Sequence, residues 1–86
     1  MANFEPSGDL FTDLQQAIDT ESIMFITYTA LNGEYTERTV APLEIRGNKV
    51  YCADLEKMSL RLFIIESIGS YEITDETFDK EGLQLT

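Results

Sequence analysis

Two arginines, Arg38 and Arg61, are the side chains of this sequence best suited to bind a ligand. Each lies in a stretch that predicts a β-strand and is otherwise poor in charge. A guanidinium presents a rigid fork of N–H donors that matches a phosphate or a carboxylate. The chain also has 16 acidic residues, so each arginine can instead pair internally with a carboxylate such as Glu37, Glu66 or Glu72. Both interpretations stay open.

The other reactive side chains argue against catalysis. The sequence has no histidine, the usual general base near neutral pH and the commonest metal ligand. Cys52 is the single cysteine, and no neighbour in sequence would stabilise its thiolate, so we expect a small buried apolar residue. By residue type alone, Tyr28 and Tyr51 are expected to lie in strands, with the ring in the core and the hydroxyl in contact with water. We therefore predict a protein that is not an enzyme and needs no cofactor or metal.

The charge and the apolar pattern restrict the partners. A formal net charge of −10 over 86 residues repels phosphate backbones, which disfavours extended nucleic acid as a ligand. The acidity either mimics DNA towards a basic partner protein or is an ordinary solvated surface. Apolar runs fall far short of the roughly 20 residues that a membrane span needs, and the N-terminus lacks a secretion signal. We expect a cytoplasmic protein without a membrane segment.

The elements that must position these residues are a helix and five strands. Apolar residues at i, i+4, i+7 and i+8 from Leu10 predict a helix over residues 8–19, with Ser7 as a candidate cap. Alternating and β-branched runs predict strands at 23–31, at 34–45 with a bend at Pro42, and at 49–54, 60–65 and 68–74. The first strand begins apolar on both faces, and the fourth is apolar apart from Arg61, which predicts two-sided burial for each.

This order of elements predicts a mainly β (α+β) fold, in which an N-terminal helix precedes a five-stranded, strongly bent β-barrel of the SH3/Sm type. The turn signals Asn32-Gly33 and Gly47-Asn48 make the first three strands an antiparallel meander. Closure is favoured because an open sheet of this size leaves two exposed edges. We divide the chain into a flexible arm (1–7), a single domain (8–78) and an acidic tail (79–86).

Several motifs occur in an order that resembles the WYL domain, a bacterial and phage regulatory module with an Sm-like barrel. The motifs span about residues 10–80 and are Leu14-x-x-Ala17-Ile18, Ile26-x-Tyr28, Glu37-Arg38-x-Val40-x-Pro42-Leu43, Tyr51, Arg61-x-Phe63, Ile68 and Phe78. The resemblance implies a free-standing WYL-like domain without a helix-turn-helix segment. It also implies that Arg61 occupies the ligand-pocket arginine position, with Tyr51 and Tyr28 as neighbours able to stack on or hydrogen-bond a ligand.

The sequence departs from the family pattern at four positions. The name-giving tripeptide is replaced by Val50-Tyr51-Cys52, and Ile64 and Ser67 stand where family members commonly carry basic residues. Fewer cations weaken the attraction for a polyanion, so a nucleotide-like ligand is less expected here than in a typical member.

The leading hypothesis is a non-catalytic regulatory domain, from a bacterial or phage setting, that acts in transcription or defence by binding. Arg61, helped by Tyr51, Tyr28 and Arg38, would hold a small anionic ligand or an acidic group of a protein partner. One alternative is an acidic inhibitor or DNA mimic that covers a basic surface of a host protein. Another is a structural homo-oligomer assembled by edge-strand pairing.

Overall fold

The computed structural model describes residues 9–78. Within that range, one helix precedes five strands and a short 3₁₀ turn. The elements are α1 (Leu10–Thr20), β1 (Ser22–Thr29), β2 (Tyr35–Arg46), β3 (Lys49–Asp54), β4 (Ser59–Ile64), η1 (Ile65–Ser67) and β5 (Ile68–Thr77). The predicted arm, the predicted acidic tail and the candidate cap Ser7 lie outside the described residues. No helix in the described range is long and apolar enough to cross a bilayer.

The five strands form one antiparallel sheet in the order β4-β3-β2-β1-β5. Consecutive hairpins join β1 to β4, and β5 returns to pair with β1. The predicted fold class is confirmed: a helix is followed by a mostly β, barrel-like domain. Closure into a continuous ladder is not seen in the described range, because β4 and β5 are the two sheet edges.

Local sequence explains the turns and the long second strand. Gly33 and Gly47 have φ of 89° and 60°, a region that glycine enters without steric cost. β2 continues through Pro42, which faces Cys52 on β3, and the ladder shifts register between Pro42 and Glu44. The ladder from β2 to β1 ends at Val40, so the missing N–H of Pro42 costs no bond on that side.

The core lies between α1 and one face of the sheet, here called the core face. Leu14 and Ala17 on the helix are buried against residues of the strands. Their buried partners are Met24, Ile26, Val40, Val50, Cys52, Phe63 and Ile68. Within residues 9–78 this one helix covers one face, and no described helix lies above the opposite face of the sheet, here called the outer face.

The predictions that β1 and β4 are buried on both sides were wrong, because side chains of both strands are exposed on the outer face. In β4, Leu60 and Leu62 are 55% and 46% exposed, and in β1, Phe25 is 48% exposed. Composition could not separate an edge strand with one buried face from a central strand with two. The fifth strand is also longer than predicted and runs to Thr77, after which the Phe78 N–H donates to the Glu21 carbonyl at 2.8 Å.

A polar contact fixes the helix to β5. The Tyr71 hydroxyl donates to Oδ2 of Asp13, a helix residue with no exposed surface. Burial and the contact with Asp13 raise the pKa of Tyr71 from 10.0 to about 12. The bond therefore holds the phenol in its neutral form in the folded chain.

Tyr71→Phe should lower the free energy of unfolding by about 1–3 kcal/mol at pH 7, because a buried carboxylate loses one donor. Above pH 10, the unfolded phenol ionises while the folded phenol does not, so the contribution of Tyr71 is lost between about pH 10 and 12. Urea unfolding measured between pH 10 and 12 should show that the free energy of unfolding falls less with rising pH in the variant than in the wild type. Tyr35→Phe, at a ring 60% exposed, is the control; an equal effect there would contradict the prediction.

Candidate functional site

A buried carboxylate, Asp54, lies at the centre of the charged groups on the core face. It is the last residue of β3 and is 1% exposed. Its Oδ1 accepts the backbone N–H groups of Glu56 and Lys57 at 3.1 and 3.3 Å. These bonds form an Asx turn that begins the connection to β4, in which Met58 has a φ of 51°. The same side chain thus shapes a turn and carries a charge into the interior.

Both predicted arginines contact the second oxygen of this carboxylate. Arg38 Nη1 donates to Asp54 Oδ2 at 2.8 Å, and Arg38 Nε donates to Thr36 Oγ1 at 3.3 Å. Arg61 Nε lies 3.7 Å from the same oxygen, an ion-pair distance that exceeds a good hydrogen bond. The side chain of Arg38 is 18% exposed and that of Arg61 is 41% exposed. Arg38 is the anchored partner and Arg61 the accessible one.

Strand pairing explains why the three residues meet. Residues directly opposite in an antiparallel ladder lie on the same face. Arg38 is opposite Ile26, and Arg61 is opposite Cys52. Because Ile26 and Cys52 belong to the core face, both arginines lie on that face too, at the end of the sheet where Asp54 lies. We refer to Arg38, Asp54 and Arg61 as the arginine pair site.

Two cations share one carboxylate at this site. A buried carboxylate is costly unless it is paired and hydrogen-bonded, and Asp54 has both arginines and two backbone N–H donors. Formally, two positive charges and one negative charge leave a single positive charge in excess. That excess lies at the more exposed Arg61, on an edge strand of a chain that is otherwise strongly acidic.

Tyr28 is close to this region but is engaged in packing. Its ring meets Phe63 edge-on, with ring centroids 4.9 Å apart. Its hydroxyl oxygen accepts the Ile64 N–H at 3.0 Å. Tyr28 therefore links the interior strand β1 to the edge strand β4, and this bond uses one acceptor position of its hydroxyl.

Tyr51 is not brought to the arginine pair site. It lies opposite Glu44 and Leu62, on the outer face. There Arg46 lies over the ring, 5.2 Å from its centroid, and the hydrogen bond to Glu44 raises the pKa of Arg46. A cleft of about 230 Å³ is formed there by Leu43, Glu44, Arg46, Tyr51 and Leu60. Of the four predicted ligand residues, the structure places Arg38, Arg61 and Tyr28 on one face and Tyr51 on the other.

Cys52 is 1% exposed and belongs to the apolar core. Burial, reinforced by the charge of Asp54, raises the pKa of its thiol from 9.0 to about 12. A thiol held neutral in this way is a poor nucleophile near neutral pH, which agrees with the expectation from sequence. Within residues 9–78, no three potential metal-ligating acidic or cysteine side chains cluster.

The sequence reasoning missed Asp54. The internal carboxylates considered there were Glu37, Glu66 and Glu72, and none of them forms an ion pair in the described part of the chain. A usable signal existed: an aspartate at the end of a predicted strand, followed by a short polar connection, is typical of an Asx turn.

Comparison with known proteins shows that this chain shares its fold with part of a solved structure. No family model matches the chain, and no curated protein matches it. Among solved structures, the chain is similar to proteasome accessory factor B/C (PafBC) of Arthrobacter aurescens, with a TM-score of 0.74 and 24% identity. The match covers 83% of this chain and 12% of PafBC. The chain thus shares the fold of a small part of that longer protein.

Proposed function

We propose that this chain is a non-catalytic regulatory domain that binds a small anionic ligand through Arg61. The observation that carries the proposal is the shared carboxylate: Asp54 is bonded to Arg38 at 2.8 Å, and Arg61 lies 3.7 Å away with 41% of its side chain exposed. A second anion at Arg61 would restore charge balance at the site. The runner-up ligand is an acidic group on a protein partner, which the same fork of donors would accept.

The geometry favours binding at the end of the Arg61 guanidinium. Its Nε is the atom that approaches Asp54. In a planar guanidinium this leaves the terminal Nη groups as the donors for an incoming oxyanion. Arg38 supports the site indirectly, because its hydrogen bond holds Asp54 in place. Tyr51 belongs to the separate cleft on the outer face, so we do not include it in this binding site.

The likeness to PafBC supports a regulatory role. PafBC is by name a proteasome accessory factor, and an accessory role fits a non-catalytic domain. The fold shared with PafBC supports the resemblance to the WYL domain, and that resemblance implies ligand sensing. The acidic-mimic and the structural-oligomer hypotheses remain predictions. Unlike the anion-binding proposal, the mimic hypothesis requires that binding to a basic partner weakens steeply with salt and does not depend on Arg61.

The test compares Arg61→Ala with Arg46→Ala, a variant that removes an equal charge from an exposed arginine on the outer face. Inorganic phosphate, pyrophosphate and a 5′-phosphorylated dinucleotide are titrated while amide NMR shifts and the melting temperature are recorded. Charge-assisted hydrogen bonds contribute about 1.5–3 kcal/mol, so we expect Arg61→Ala to weaken binding at least about tenfold. Arg46→Ala should change it little.

Circular dichroism must first show that both variants keep their fold. Arg61→Lys serves as a second variant, because it retains the charge without the planar fork and should weaken binding less than alanine does. Equal loss in Arg61→Ala and Arg46→Ala would mean that the anions respond to net charge, which would refute the site. Absence of any shift in the wild-type protein at millimolar anion would refute it as well.

A further inference from the structure

We infer that the outer face around Phe25 is a docking surface for a lysine- or arginine-bearing segment of a partner protein. Phe25 lies on β1, which has β2 on one side and β5 on the other. Its ring is nevertheless 48% exposed, because α1 covers the other face of the sheet. A large apolar ring left open in the middle of a sheet face is a usual mark of an interaction site.

A bulge in β5 places carboxylates around this ring. The register from β1 to β5 passes from Met24–Ile73 to Ser22–Thr77, so β5 has extra residues opposite β1. The Thr74 hydroxyl stabilises the bulge: it donates to the Ile23 carbonyl at 2.7 Å and accepts the Glu76 N–H at 3.1 Å. Bulges re-aim side chains at sheet edges, and here two of the residues in the bulge, Asp75 and Glu76, are acidic.

The resulting groove has a volume of about 320 Å³, and none of the described residues that line it is basic. It is formed by Phe25, Glu72, Ile73, Thr74, Asp75 and Glu76. Glu72 is directly opposite Phe25 in the ladder and so shares its face. None of the three carboxylates forms an ion pair within residues 9–78. Three exposed negative charges thus lie beside one open aromatic ring, and no cation of the described part of the chain pairs with them.

This combination selects a basic side chain as the occupant. The face of an aromatic ring attracts a cation through its quadrupole, and the surrounding carboxylates add charge attraction. The aliphatic stem of lysine or arginine can pack on the ring while its charged end reaches the carboxylates. A neutral or acidic segment would bury the same ring without neutralising the three acids. The surface faces away from Arg61, so docking here does not depend on the anion proposal.

The first test measures binding of a fluorescein-labelled octalysine peptide by anisotropy and maps it by amide NMR shifts. Phe25→Ala should weaken binding about two- to fivefold, the size of an exposed cation–π contact. Phe11→Ala is the matched control, since Phe11 is 49% exposed but lies on α1. Arg61→Ala should leave binding to this peptide no weaker. Shifts centred away from the groove, or equal effects of the two phenylalanine variants, would overturn the inference.

The second test separates a local site from general acidity. The triple variant Glu72→Gln, Asp75→Asn, Glu76→Gln and the control triple Asp19→Asn, Glu34→Gln, Glu66→Gln each remove three exposed charges, which takes the net charge from −10 to −7. The groove triple should weaken peptide binding about tenfold or more at low salt, and the control much less. Equal weakening, or no binding to the wild type at millimolar peptide, would refute the surface.

Discussion

Asp54→Ala should lower the free energy of unfolding by about 3 kcal/mol, close to the cost of breaking a buried ion pair from one side. The substitution leaves Arg38, which is 18% exposed, without its carboxylate. It also removes the acceptor for the N–H groups of Glu56 and Lys57, and with it the turn into β4. We expect a loss of this size to be visible as a lower urea midpoint and melting temperature.

Two companion variants assign the loss to its causes. Asp54→Asn keeps an oxygen for the turn but removes the charge, so the difference between alanine and asparagine reports the turn bonds. Glu37→Gln is the matched control: it neutralises an exposed acid next to Arg38 in sequence and should stay within about 0.5 kcal/mol of the wild type. If Asp54→Ala were equally mild, Asp54 would not be the partner that holds the two arginines.

The same variant also bears on the proposed function. Without Asp54, the arginine pair site carries two positive charges and no internal anion. Phosphate or sulfate should therefore raise the melting temperature of Asp54→Asn more than that of the wild type, because an anion that binds the folded state stabilises it. An equal response in the two proteins would mean that the site does not take up external anions.

Leu14→Ala should lower the free energy of unfolding by about 2–5 kcal/mol, the range for truncating a buried leucine. Leu14 is 1% exposed and is one of two fully buried apolar residues through which α1 reaches the core. Domains of this size have little stability in reserve, so the variant should be largely unfolded at moderate urea concentrations. Chemical denaturation followed by circular dichroism measures the change.

Phe11→Ala provides the control on the same helix. It removes a larger side chain, but one that is 49% exposed, so the change in unfolding free energy should stay below about 1 kcal/mol. Similar losses in the two variants would mean that burial against the sheet is not what holds α1 in place.

The fold was largely predictable because its signals are local. The spacing of Leu10, Leu14 and Ala17 predicts the helix, and the glycines at 33 and 47 mark hairpins that the structure confirms. The strand predicted over 34–45 continues through Pro42 in the structure, since Pro42 needs no partner on the β1 side. Bounds were off by one to three residues where the deciding contacts, such as the β5 bulge, join distant parts of the chain.

The candidate site was only partly predictable, because it depends on register. Arg38 and Arg61 were singled out by residue type, but their common partner Asp54 is brought to them by pairing of β2, β3 and β4. The same pairing sends Tyr51 to the other face, which a list of motifs does not show. The exposure of Phe25 depends on which face α1 covers, and no local pattern specifies that.

The position of β5 has a consequence for how the chain is made. β1 is translated early, yet one of its two neighbours is the last strand, roughly 40 residues later. At ordinary rates of synthesis, β1 waits a few seconds with an open hydrogen-bonding edge. During that time the apolar segment around Met24 and Ile26 is available to other nascent chains. A ribosome pause ahead of the final strand would lengthen this exposure, so codon choice in that stretch should influence the yield of native protein.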